Sequence, residues 1–151
     1  MPPPNPNVMA ALTRFGIASD LFQSAMQVRL ADHGLTTAQL SVLSHLARRS
    51  EPQRVTDIAQ AVGVGQPAVT KMMVKFEGAG WVHMVADAQD RRTRRAEATD
   101  QGRAFLMQVQ RGLFPELGAF LAGWSPEDLQ AFTEGLTRFG QFLDSNRRVD
   151  D

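Results

Sequence analysis

Leu12, Phe15, Ser19, Phe22 and Met26 are three or four residues apart, the spacing that lines one face of an α-helix. A first helix is therefore predicted from about Met9 to about Ala31, with Gly34 breaking the chain after it. The Pro/Asn-rich residues 1–8 ahead of it read as a mobile tail. Thr36 and Gln39 have capping-box spacing, and Leu40, Leu43, Leu46 and Ala47 continue into a second helix ending near Arg49. Ser50, Glu51 and Pro52 then supply a turn. Thr56 is the expected cap of a short third helix carrying Ile58, Ala59 and Val62, which Gly63 can end in a left-handed conformation. Only Val64 and Gly65 precede a fourth helix. Pro67 is tolerated in its first turn, and Val69, Met73 and Phe76 mark its buried face at i, i+4 and i+7.

Gly78 and Gly80 close that helix, after which Trp81–Ala86 and Arg94–Ala98 read as two short strands of a hairpin. Thr99 is placed to cap a fifth helix, with Asp100 in its first turn and Phe105, Val109, Leu113 and Leu117 as its stripe. Pro115 is expected to bend or interrupt it. Ser125 to Asp128 starts a sixth helix, whose Leu129, Phe132, Leu136, Phe139 and Leu143 repeat like a coiled-coil seam. From about Arg147 the chain should fray. The expected fold class is mainly α with a small β-hairpin wing: a winged helix-turn-helix over residues 36–99. Flanking helices over 9–31 and 100–147 complete one unit spanning 9–151.

Charge changes the picture because it is uneven. The 151 residues balance 16 basic against 16 acidic side chains, yet the three segments differ. Residues 1–65 carry five Arg against four acids. Residues 66–95 carry six basic residues against Glu77, Asp87 and Asp90, and residues 96–151 carry five Arg against nine acids. A basic middle and an acidic last third imply one surface for a polyanion and another turned away from it. The absence of cysteine excludes disulfides, thiolate-bound zinc and a thiol nucleophile. No apolar run reaches the ~20 residues of a membrane helix, and no charged-then-apolar leader opens the chain, so a cytoplasmic location is expected.

A helix, a tight turn and a second helix form the unit whose second helix can enter the major groove of duplex DNA. The polar face of the fourth helix offers Gln66, Thr70, Lys71 and Lys75: an amide, a hydroxyl and two ammonium groups able to reach base edges and phosphates. A solvated helix face would have the same composition. The adjoining hairpin weighs against that reading, because Arg91, Arg92, Arg94 and Arg95 cluster at its tip. There they suit the negative potential of the minor groove. Asp90 among them would be repelled by phosphate, and its expected role is to pair with Arg92 or a neighbour and hold the tip in shape.

The runs Val55-Thr-Asp-Ile-Ala59, Gln66-Pro-Ala-Val-Thr-Lys71, Gly80-Trp-Val82, Asp90-Arg-Arg-Thr93 and Ala98-Thr-Asp-Gln-Gly102 resemble the MarR family of winged helix-turn-helix regulators. The likeness covers nearly the whole chain. Asp90, Arg92, Thr99 and Gly102 match the family's wing pattern, so the resemblance implies that Arg92 reaches the minor groove while Asp90 supports the wing. Arg91, Arg94 and Arg95 then become phosphate contacts. Trp81 and Ala98 stand where the family usually has leucine, and Met84 where it often has a basic residue, implying a differently packed wing base and one phosphate contact fewer. Gln66-Pro67 replaces a frequent serine at the start of the recognition helix. The resemblance also implies a homodimer paired through its first and last helices. The apolar seams Leu12 to Met26 and Leu129 to Leu143 ask for such a partner independently.

Many proteins of this kind release DNA when a small aromatic or anionic effector binds beside the dimerisation helices. The corresponding lining here would be Phe15, Phe22, Met26, His33, His45 and Phe114, although core packing is the competing role for each Phe and Met. His33, His45 and His83 are too far apart in sequence for a local metal motif. There is no HExxH, no GxSxG and no phosphate-binding glycine loop, so neither catalysis nor a cofactor is expected. Two functions remain: a ligand-responsive dimeric repressor on DNA, and a winged-helix module that binds another protein. The arginine tip favours the first.

Overall fold

The computed structural model describes residues 5–146. Their order is α1 (Pro6–Ala31), α2 (Thr37–Ala47), β1 (Gln53–Arg54), α3 (Val55–Val62), α4 (Gln66–Gly78), β2 (Val82–Ala86), β3 (Arg94–Ala98), α5 (Asp100–Phe120) and α6 (Pro126–Ser145). The fold is mainly helical with a small antiparallel sheet. The described residues fall into two compact units divided between Leu113 and Phe114.

Local chemistry sets most of the boundaries in the first unit. The Asn5 side chain accepts from the Asn7 amide at 2.9 Å and Pro6 fits the first helical position. Helix α1 consequently starts inside the expected tail, three residues before Met9; residues 1–4 lie outside the described residues. Thr36 and Gln39 form the reciprocal capping box, each side chain accepting from the other's amide at 3.1 Å. Gly63, at φ 67°, closes α3 as expected. Helix α3 itself opens at Val55 with no side-chain cap. Thr56 falls inside its first turn and is not the cap, because Gln53–Arg54 pairs as a strand immediately before the helix.

That pairing makes the sheet three-stranded, in the order β1-β3-β2. Gln53 faces Ala96 and Arg54 faces Arg95, while β2 runs from Val82 opposite Ala98 to Ala86 opposite Arg94. Trp81 lies just ahead of β2 rather than in it. Its indole stacks on Phe105 with ring centroids 4.0 Å apart and tilts against Phe76. The core of this unit is built from Leu30, Leu35, Val42, Leu43, Leu46, Ile58, Val69, Phe76 and Val109, all essentially inaccessible.

Thr99 caps α5, accepting from the Gly102 amide at 2.9 Å while its hydroxyl donates to the Gly80 carbonyl at 2.6 Å. Pro115 sits inside α5 without ending it. The residue whose carbonyl loses its helical partner is Arg111, which is exposed, so water can satisfy that oxygen. In the second unit Ser125 caps α6 through the Asp128 amide at 3.1 Å, and Trp124 meets Phe132 edge to face. The predicted seam is exposed at Phe132, Leu136 and Leu143, and no residue of α6 is buried. Leu12, Phe15 and Phe22 of α1 are likewise exposed, and so is a row on the other side of that helix, Ile17, Leu21 and Val28.

Candidate nucleic-acid interface

Burial of Val69, Met73 and Phe76 turns the other face of α4 outward. Gln66, Thr70 and Lys71 are exposed on it, and the Thr70 hydroxyl donates back to the Gln66 carbonyl at 3.0 Å. Val74, 72% exposed, continues the Gln66–Thr70 line one turn further. Lys75 is exposed too, but its ammonium is engaged within the fold. It donates to the Gly34 carbonyl and, at 2.9 Å, to the Gln39 side chain, tying α4 to the turn between α1 and α2.

The wing turn is organised by two aspartates. Asp90 accepts from the Arg92 amide at 2.9 Å and from the Thr93 hydroxyl at 3.1 Å, while its own carbonyl accepts from the Thr93 amide. It therefore braces the tip through the backbone and Thr93, where a guanidinium partner was expected. Arg91 and Arg92 are left exposed at the tip. Arg94 leans back along the hairpin, 3.4 Å from the Met84 carbonyl and 3.8 Å from the Glu77 carboxylate.

Arg95 is placed quite differently from a phosphate contact. Its Nε donates to Asp87 Oδ2 at 2.9 Å, its Nη1 donates to the Pro52 carbonyl at 3.3 Å, and only 31% of the side chain is exposed. Arg54 Nε donates to the same Asp87 oxygen at 3.0 Å. Asp87, buried, is held ionised with its pKa lowered to about 2. The bond from the Gln89 amide is the main cause; the arginines add to it and burial opposes it. Neither Asp87 nor Arg54 stands out in the sequence, because their partnership depends on the β1–β3 pairing.

An open cleft of about 480 Å³ lies between α4, the start of α3 and the wing. Gln66, Thr70 and Arg92 all line it, together with Arg54, Thr56, Val74, Glu77 and Met84. The recognition-helix face and the wing arginine thus border one recess. Donors dominate its polar rim, with Glu77 as the acidic exception. None of the six residues expected around an effector borders it. Met26 and His45 are buried in the first unit's core, Phe15 and Phe22 are exposed on α1, and Phe114 is exposed in the second unit. The His33 ring lies against Gly112, about 3.8 Å from where a Cβ would stand. His45 Nε2 has no hydrogen-bond partner, and burial first, then Arg49 and Arg48, lowers its pKa. Among the described residues no group of three or more His, Cys, Asp or Glu could hold a metal ion, and no helix is long and apolar enough to cross a membrane.

Comparison with known proteins agrees with this fold. The family model described as MarR family matches residues 35–93, the stretch that holds α2 to α4 and the wing turn. The transcriptional activatory protein BadR of Rhodopseudomonas palustris is 31% identical over 121 residues, 78% of this chain and 67% of BadR. The HTH-type transcriptional regulator PecS of Dickeya dadantii is 24% identical over 142 residues, 93% and 84% of the two chains. A MarR protein from Peptoclostridium difficile superposes with a TM-score of 0.76 at 16% identity, covering 96% of this chain and 92% of its own. The chain belongs to the MarR family of DNA-binding transcription regulators.

Proposed function

We propose that the chain works as a homodimer on a pseudo-palindromic duplex. Each protomer lays α4 in the major groove and sends its wing tip into the adjacent minor groove. Gln66, Thr70 and Lys71 read base edges and phosphates, Arg92 enters the minor groove, and Arg91 and Arg94 meet the backbone. The observation that carries this is the shared cleft: Gln66, Thr70 and Arg92 border one recess, as a single strand of DNA between two grooves requires. The exposed apolar rows on α1 and α6 support pairing of two copies. A dimer would set half-sites about one helical turn apart, ~10 bp.

Repression follows where such a site overlaps a promoter, in the cytoplasm. A small aromatic or anionic effector would release the DNA. BadR is named an activatory protein, so the position of the site relative to the promoter is part of the test. DNA selected from a genomic library, followed by gel shifts over a salt series, measures the central claim. A log K that falls with log[salt] by ~0.9 per neutralised phosphate is expected. Arg92→Ala should weaken binding and flatten that slope by about one phosphate, with the fold intact. A flat salt dependence of the unmodified protein would leave a protein-binding module as the better description. Light scattering checks the dimer.

A further inference from the structure

Asp87 is the one acidic residue buried among the described residues, and it lies at a junction. It directly follows β2. Its Oδ1 accepts from the Gln89 amide at 2.9 Å, and its Oδ2 takes the Nε donors of both Arg54 and Arg95. Arg54 ends β1 and leads straight into α3, while Arg95 belongs to the central strand β3 and faces Arg54 in register. One carboxylate therefore joins the end of β2, the start of the central strand β3 and the strand that opens the helix-turn-helix. The Asp87 amide also donates to the Thr93 carbonyl at 2.9 Å, closing the base of the wing loop.

We propose that Asp87 is a positioning residue for DNA binding: it fixes the wing on the helix-turn-helix and ties down the Nε of both Arg54 and Arg95, so that neither guanidinium turns freely to a phosphate. This rests on the DNA-binding role proposed above. A charge-assisted bond to a desolvated carboxylate is among the stronger polar contacts a protein makes. Without the carboxylate, two guanidinium groups that face each other across a strand pair would repel and turn outward. Tip and recognition helix then lose their fixed separation, which is what lets both engage one duplex in register. The freed arginines meanwhile gain access to any phosphate. Asp87 thereby serves discrimination between sequences, and its arginines are part of the frame.

Operator selected by the unmodified protein, unrelated duplex of the same length and a salt series test this with Asp87→Asn and Arg95→Ala. Asp87→Asn should lose roughly tenfold or more in the ratio of operator to unrelated affinity. Its salt slope should steepen by up to ~0.9 for each arginine released. Arg95→Ala should lose operator affinity at an unchanged slope, where Arg92→Ala flattens it. A scaffold role alone would lower thermal stability yet leave the slope and the specificity ratio where they were. An unchanged ratio and slope in Asp87→Asn overturns the proposal, as does a slope in Arg95→Ala flattened by a whole phosphate. Should Asp87→Asn fail to fold, Arg95→Ala decides by the same slope criterion. Unmodified protein without salt-dependent binding overturns the DNA-binding role itself and this proposal with it; normal binding by that protein with either contrary mutant result removes only the role given to Asp87.

Discussion

Gly102→Ala is a one-methyl change that should unsettle the whole wing base. A Cβ at Gly102 would stand 2.1 Å from the Trp81 carbonyl oxygen and 2.8 Å from its carbon, about 1 Å inside the closest approach real side chains tolerate in a packed interior. The obstacle is backbone, so no side chain can rotate away. To admit the methyl, the first turn of α5 must retreat from the Trp81–Val82 segment. That displacement strains the Thr99 amide bond to the Trp81 carbonyl, 3.0 Å, and the Thr99 hydroxyl bond to Gly80. Losing both costs about 1 kcal/mol each, and overpacking adds about 1–3 kcal/mol. Replacing glycine inside a helix returns at most about 1 kcal/mol. The expected net loss is about 2–4 kcal/mol, with the Trp81–Phe105 stack disturbed as well.

Urea unfolding followed by Trp81 fluorescence in a Trp124→Phe background measures it. Gly78→Ala is the matched control. Gly78 ends α4 with nothing within 4 Å of where an added methyl would stand and without a positive φ, so that change should be neutral or stabilise by up to about 0.5 kcal/mol. Equal small shifts at the two glycines would refute the close-approach argument, since helix propensity alone would then account for both.

Two further perturbations concern protons and one concerns a lysine. His45 has its pKa lowered in the folded state, so the unfolded chain binds the proton more tightly. The associated stability is fully present above 6.5 and is lost as pH falls below that value; the urea midpoint should drop on acidification, less so in His45→Leu, and a rising midpoint would contradict it. Asp87, with a folded pKa of about 2 against the ordinary 3.8, contributes stability above 3.8 that disappears as pH falls toward 2. Acid unfolding of Asp87→Asn should accordingly lack that share of the pH dependence. Lys75→Met removes the bridge to Gly34 and Gln39. It should cost under about 1 kcal/mol because both bonds are open to solvent, with the salt slope of DNA binding unaltered; a slope flattened by one phosphate would show that Lys75 leaves its bridge for the backbone.

Where structure is dictated by neighbours in sequence, the chain could be read directly. Thr36 with Gln39, Gly63 and Ser125 mark their helix ends through bonds spanning at most a few residues, Pro67 marks its own by its fixed φ in the first turn, and β3 occupies Arg94–Ala98 as the pattern implies. Strand β1 was illegible for the opposite reason. Two residues carry no alternation, and they form a strand only because β3, some forty positions later, offers its free edge. The fate of Arg95 depends on that pairing, so the four arginines between 91 and 95 look equivalent until Arg54 is seen to face one of them. Asn5-Pro6 is a helix start hidden in a stretch whose composition resembles a tail. Pro115 shows the converse, a strong local stop signal that does not end its helix, the orphaned carbonyl being exposed.

The two aspartates of the wing divide it into a frame and a free end. Every bond holding the loop uses Asp87, Asp90, Thr93 or main-chain atoms, while the side chains of Ala88, Gln89, Arg91 and Arg92 are exposed. In the proposed binding mode, mutations at those four positions would alter what meets the minor groove at almost no cost to folding. Evolution can therefore retune a paralogue's choice of binding site at the tip while selection for stability acts on other residues. That separation lets a duplicated regulator acquire a new site without first passing through an unstable intermediate.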